Sequence, residues 1–218
     1  MQLEVDVQQI YATLRTGGLA LVPTDVGYGL VALEESAVRR IYELKGRPAA
    51  KPCVTVGNAE ILQRVSHVPV DTREWIAETA RLTPLAIVTR LVENPLVAAM
   101  TPYVAGQATH AGTIALFFSA GRILERLAEC ALADGRVVLG SSANLSGTGN
   151  NYTLADVPAS MRDGADLVID RGPAWYRNER QLASTILDLT TGAFLRQGVN
   201  YDRIAASWAS RELAARAA

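Results

Sequence analysis

Leu19-Ala-Leu-Val22, running into Pro23-Thr-Asp-Val-Gly-Tyr-Gly-Leu30, is the stretch on which the fold turns. The apolar run is too short for a helix and is stopped by a proline, so it reads as a buried strand. The eight residues after it hold two glycines, a proline and an aspartate, and read as a turn-rich loop. Upstream, Val7, Ile10, Tyr11 and Leu14 recur at helical spacing within 5–16, and Gly17-Gly18 ends that helix. Downstream, Ser36 stands as the N-cap of a helix through Ile41 and Leu44, which Gly46 and Pro48 terminate.

The alternation continues outward. Cys53–Val56 is β-rich, and 58–66 and 71–81 have helical spacing. Residues 85–89 and 113–118 read as strands, 123–132 as an amphipathic helix, and 137–139 as a strand entering Gly140-Ser-Ser-Ala-Asn-Leu-Ser-Gly147. Further strands fall at 167–169 and 184–188. An Ala/Arg-rich helix closes the chain over 202–216, with Ile204, Trp208 and Leu213 on one side. Strands interleaved with helices predict an α/β (α+β) layer fold built on one mixed sheet. No repeat or Pro/Ser linker divides it, so 1–218 is read as a single domain, with a core at about 7–200.

The 218 residues are 49% hydrophobic and 20% charged, the balance of an ordinary globular protein. Cys53 and Cys130 are too few for a disulfide framework. No apolar run approaches a membrane span, and MQLEVDVQQI lacks the basic start of a signal peptide. A cytoplasmic protein without a membrane partner is expected. The net charge of −1 gives no strong nucleic-acid footprint. The basic residues are nevertheless unevenly written. Of 21, only Lys45 and Lys51 are lysines, and both lie in Lys45-Gly-Arg-Pro-Ala-Ala-Lys51 with Arg47 between them. A point charge and a planar fork side by side suit a phosphate.

Other motifs fail on context. Gly27-Tyr-Gly29-Leu-Val-Ala32 has dinucleotide spacing, but an apolar run follows where a helix should open. No phosphate-binding G-x-x-x-x-G-K-[ST] occurs. Asn144 stands where a nucleophile elbow needs its second glycine, and His67 and His110 are the only imidazoles available as a base. Two His and two Cys show no ligand spacing, so no metal site is predicted. The Ser142-Ala-Asn144 turn suits an anion, because small residues expose backbone N–H groups beside hydroxyl and amide donors.

Five segments, Pro23–Leu30, Lys45–Pro52, Ser142–Gly147, Ser184-Thr-Ile-Leu-Asp-Leu189 and Leu195-Arg196-Gln-Gly198, resemble in order and spacing the YrdC-like threonylcarbamoyl-AMP synthases. The resemblance runs from about residue 7 to about 200. It implies a twisted mixed sheet with a concave basic cavity. It also implies a reaction in which L-threonine, bicarbonate and ATP give threonylcarbamoyl-AMP and pyrophosphate for tRNA threonylcarbamoyladenosine formation, with tRNA-modification proteins as partners. By carry-over Lys45, Arg47, Ser142 and Asn144 would be catalytic. Arg47, Lys51, Thr113, Ser142, Asn144 and Arg196 would hold the nucleotide, and Thr24, Tyr28 and Ser184 would line the amino-acid end. Mg²⁺ would arrive with the triphosphate rather than occupy a protein site.

Departures from the family pattern collect on the amino-acid side. Val26-Gly27 replaces Thr-Val, Val56 stands at a common His, Phe117 at an Arg associated with the substrate carboxylate, Ala183 at a Glu and Gln197 at a Pro. Two alternatives therefore stand beside the threonine enzyme. One is a divergent paralogue that makes a different carbamoyl-adenylate. The other is a double-stranded RNA-binding module whose basic cavity holds a phosphate backbone, and the net charge counts against it.

Overall fold

The computed structural model describes residues 1–217, with side chains as far as Arg211; the sequence expectation for Leu213 lies outside those side chains. One mixed sheet organises the chain. Its strands are β1 (Ala20–Thr24), β2 (Gly27–Ala32), β3 (Val54–Val56), β4 (Leu85–Arg90), β5 (Thr109–His110), β6 (Thr113–Phe118), β7 (Leu139–Ser142), β8 (Leu167–Val168), β9 (Thr185–Asp188) and β10 (Phe194–Arg196). They lie in the order β10-β9-β4-β6-β3-β7-β2-β1-β8, with β5 hairpinned onto β6. The pairs β1/β8, β3/β6 and β4/β9 are parallel and the others antiparallel.

The stretch that opened the sequence reading folds differently from its expectation. Pro23–Leu30 is not a loop but most of a tight hairpin, with Thr24 opposite Gly27 and only Asp25-Val26 at the turn. Pro23 is tolerated because β1 pairs with β8 only at Ala20 and Leu21, so its missing N–H faces no partner there. Gly27 holds φ 137°, and a Cβ would stand 2.8 Å from the Asn151 carbonyl oxygen. Only glycine closes this turn without strain. Ser36 also departs from expectation. The helix Glu35–Lys45 (α2) is capped at Glu34 without a side-chain bond, and the Ser36 hydroxyl instead donates to the Gly17 carbonyl at 3.3 Å. The strand expected at 137–139 lies two residues further on, which carries Ser142 to the strand end beside the cavity.

Helices cover the two faces of the sheet unequally. On one face, α1 (Gln2–Arg15), α3 (Ala59–Val65), α4 (Val70–Ala80), α7 (Arg122–Ala133) and α9 (Tyr201–Ala217) bury Ile10, Ile76, Leu127 and Trp208 against Leu85, Ile87, Leu116 and Leu187. Trp75 meets Trp208 edge to face at 4.9 Å, and its indole N–H donates to Ser207 at 2.9 Å, which docks the C-terminal helix. On the other face, α2, α6 (Pro102–Ala108) and α8 (Ala159–Asp163) pack onto β1, β2 and β7. That second core takes no residue from β4, β6 or β9. The uncovered half of the sheet is the floor of a cavity. A short helix α5 (Pro95–Ala98) and a 3₁₀ turn at Leu154–Asp156 complete the helical set among the described residues.

Candidate active site

The cavity is about 290 Å³. Its floor follows from strand pairing. Ile186 pairs with Ala86, Ala86 with Phe117 and Phe117 with Val56, a row across four strands. Val88 and Ala115 form the next rung. Alternation points Ala86, Val88, Ala115 and Ile186 away from the helical core and into the cavity, while Val56 and Phe117 border the cavity and touch that core as well. The wall is polar: Thr24, Tyr28, Arg47, Ser142, Asn150, Ser184 and Arg196 border it. Arg47 and Arg196 are its charged residues, and no carboxylate lines it.

The two arginines come from opposite flanks. Gly46, in the left-handed conformation, ends α2 and turns the chain so that Arg47 donates to the carbonyls of Lys51 (3.1 Å) and Pro52 (2.6 Å). Arg196 leaves β10 and donates to the Ser184 carbonyl at 2.7 Å and its hydroxyl at 2.8 Å. Arg196 is exposed when the whole residue is taken, yet its guanidinium lies low enough in the cavity to be desolvated. That desolvation, reinforced by the Arg47 charge, pulls it down to about 10. Two like charges in one recess favour an anion between them.

Lys45 sits elsewhere. It is 2% exposed, off the cavity lining, and its Nζ donates to the carbonyls of Ser142 and Asn144 and to the Asn144 side-chain oxygen. Burial first, and then Arg47, pull its amine down to about 8. The Asn144 amide turns inward too, donating to the carbonyls of Leu145 (3.0 Å) and Thr148 (2.7 Å). Lys45 and Asn144 therefore brace the turn that presents Ser142 to the cavity.

The remaining expected site residues fall into three groups. Thr24 and Ser184 border the cavity, but their hydroxyls are engaged: Thr24 donates to the Gly27 carbonyl at 2.7 Å and Ser184 accepts from Arg196. The Tyr28 ring lines the wall, while its hydroxyl donates to Asp170 and the Gly172 carbonyl, and this burial and pairing raise it well above the ordinary phenol range. Lys51 is exposed at the lip, where its carbonyl anchors Tyr42 and Arg47. Thr113 starts β6 outside the lining, and its hydroxyl donates to His110 at 2.7 Å.

Several lining residues escaped sequence reading. Asn150 is buried and donates to the Val26 carbonyl at 2.6 Å, bridging the cavity wall to the β1–β2 turn. Its only local signal is the Gly147-Thr-Gly-Asn-Asn151 run. Val54, Ala86, Val88, Ala115 and Ile186 look in sequence like any strand interior, and only the missing helix above them makes them a floor.

The Sua5–YciO–YrdC family model, described as telomere recombination, matches residues 12–198. The chain is 31% identical over 180 residues to a threonylcarbamoyl-AMP synthase of Pyrococcus abyssi, covering 81% of this chain and 48% of that protein. It is 34% identical over 150 residues to a threonylcarbamoyl-AMP synthase of Dichelobacter nodosus, covering 67% of this chain and 73% of the relative. The crystal structure of P. abyssi Sua5 complexed with L-threonine superposes with a TM-score of 0.71 at 28% identity, over 89% of this chain and 54% of that one. The chain thus spans about half the length of the Pyrococcus protein.

Proposed function

The chain belongs to the Sua5/YciO/YrdC family, and on that footing we propose that it is an ATP-dependent carbamoyl-adenylate synthase of the threonylcarbamoyl-AMP synthase type. An amine, L-threonine in the product named for its relatives, combines with bicarbonate to a carbamate and water. A carbamate oxygen then attacks the α-phosphorus of ATP, the bond to the β-phosphate oxygen breaks, and pyrophosphate leaves. Both partners are anions, so the reaction needs charge neutralisation and alignment rather than a protein nucleophile.

Arg47 and Arg196 in a recess without a lining carboxylate carry this reading. Their guanidinium forks match phosphate oxygens. Ser142 donates at the reacting centre, Lys45 and Asn144 hold its turn, and Lys51 meets the outer phosphates at the lip. Among the described residues no group of three or more His, Cys, Asp or Glu stands ready to ligate a metal. Mg²⁺ would arrive with ATP as part of the MgATP substrate. The adenylate would pass to a tRNA-modifying partner, which sets the chemistry in the cytoplasm.

The test is pyrophosphate release from MgATP and bicarbonate, with and without L-threonine, alongside calorimetric ATP binding. Bicarbonate-dependent release that Arg47→Ala and Arg196→Ala abolish supports the proposal. A protein that binds no nucleotide at all refutes it.

A further inference from the structure

A second recess, of about 270 Å³, opens on the helical face of the sheet. Three helices and a strand end build it. Arg73, Ile76, Ala77 and Ala80 of α4 border it at the i, i+3, i+4, i+7 spacing of one helix face. Leu62 of α3 and Phe118 at the end of β6 supply apolar floor, and Glu125 and Glu129 stand one turn apart on α7. The recess stays open because the residues between these are small: Gly57, Ala59, Ala77 and Ala80.

Its charges are divided between two helices. Arg73 stands on α4 and both carboxylates on α7, and among the described residues no ion pair joins them. Glu129 pairs along its own helix with Arg126, which also meets Glu4. Glu125 has no such cation among the described residues. Burial first, and then the Glu125 charge, hold the neighbouring Asp25 carboxyl above the usual carboxylate range. The lining therefore selects by charge pattern. A simple anion meets Arg73 but is repelled by the carboxylates, and a simple cation has the reverse fault. A neutral apolar molecule covers the floor but strips water from charged groups without pairing them. A small molecule with both charges and an apolar group satisfies all three surfaces.

We propose that this recess is a ligand site for a zwitterionic α-amino acid with an apolar side chain. The ammonium pairs with Glu125, the carboxylate takes the Arg73 fork, and the side chain covers Leu62, Ile76 and Phe118. The site is separate from the reaction cavity, which it shares no lining residue with, and it stands whether or not the chain adenylates a carbamate.

The test is calorimetric binding to the full chain. L-leucine is compared with isopentylamine and 4-methylpentanoate, and L-phenylalanine with phenethylamine and 3-phenylpropanoate; each analogue lacks one of the two charges. At least one amino acid is expected to bind about fivefold or more tighter than both of its analogues. Arg73→Gln and Glu125→Gln should each weaken that amino acid by a similar factor. Ala77→Leu, which fills the recess and keeps both charges, should abolish binding. All three variants should keep the wild-type urea midpoint, and Arg196→Ala should bind the amino acid as the wild type does. The proposal is overturned if neither amino acid binds, or if an amine or acid alone binds as tightly. Binding that survives both Arg73→Gln and Glu125→Gln, or that Arg196→Ala removes, also overturns it, because the amino acid would then lie elsewhere.

Discussion

Lys45 makes a prediction in which stability and nucleotide affinity move in opposite directions with pH. Its amine ordinarily titrates at 10.5, and burial in the folded chain, with Arg47 adding to it, pulls it down to about 8. The unfolded chain therefore holds this proton more tightly than the folded one. Below pH 8 the fold carries the full cost of a buried cation; between 8 and 10.5 that cost is relieved, and stability rises with pH. At about 1.36 kcal/mol per unit, the two values imply a gain of about 2 kcal/mol between pH 7 and pH 9.5. Lys45→Met keeps the aliphatic stem and abolishes the titration. It also strands three oxygen acceptors, which costs a pH-independent amount. The assay is urea unfolding of both proteins at the two pH values. The wild-type-minus-variant difference in unfolding free energy should grow by that amount in favour of the wild type. Over the same range the neutral amine has one donor fewer for its three acceptors, so the Ser142 turn loosens. ATP affinity in the wild type should fall with a midpoint near 8 and stay flat in the variant. A stability difference that is flat, or that moves against the wild type, refutes the account of Lys45 as a buried cation bracing the turn.

Three other substitutions test the frame around the cavity. Tyr28→Phe removes the hydrogen bonds to Asp170 and the Gly172 carbonyl, at a cost of about 2 kcal/mol at neutral pH. The Tyr28 bond is the main cause holding Asp170 below the usual carboxylate range, so this stabilisation is present above the ordinary value and lost as acid protonates the group. Urea titrations at pH 7 and pH 3 should show the variant's deficit shrinking on acidification. Gly198→Ala would drive a Cβ into the Ala183 carbonyl and the Ser184 backbone, displacing the pair that anchors Arg196. A loss of about 2 kcal/mol or more by chemical unfolding, with weakened ATP binding by calorimetry, is expected. Trp208→Ala removes the partner of Trp75 and should cost about 3–5 kcal/mol, read as a lowered unfolding midpoint.

How far the sequence carried depends on which interactions are local. Helices announced themselves where apolar spacing and a stop signal agreed, as at Lys45-Gly46, whose left-handed glycine ends α2 as expected. Asn58 caps the helix foreseen over 58–66 by accepting from the Ile61 N–H at 2.8 Å. The first hairpin was misread because composition outweighed pairing. Two glycines and a proline mark a loop on average, yet Pro23 and Gly29 lie inside the hairpin strands, opposite Tyr28 and Val22, and Gly29 also pairs with the distant Ser142. Ser36 failed for a related reason: a residue two positions upstream took the cap, and the hydroxyl found a carbonyl 19 residues away.

The site divides along the same line, which bears on how residues are carried over from a motif. Lys45 and Asn144 are 99 residues apart, and each alone reads as a ligand contact, since a cation and an amide are what a phosphate needs. Only when β7 and α2 are packed together does each appear as the other's partner, with the cavity left to Arg47, Arg196 and Ser142. Substitutions at the two kinds of residue should therefore separate kinetically. On the proposed reaction, loss of a wall arginine would take positive charge away from the phosphates, whereas loss of a brace would let Ser142 drift. A phosphate-mimicking anion would partly restore affinity lost at neither brace, because it supplies no donor inside the turn. A guanidinium additive could restore activity only to the Arg47→Ala or Arg196→Ala cavity, where the missing fork leaves open space at the wall.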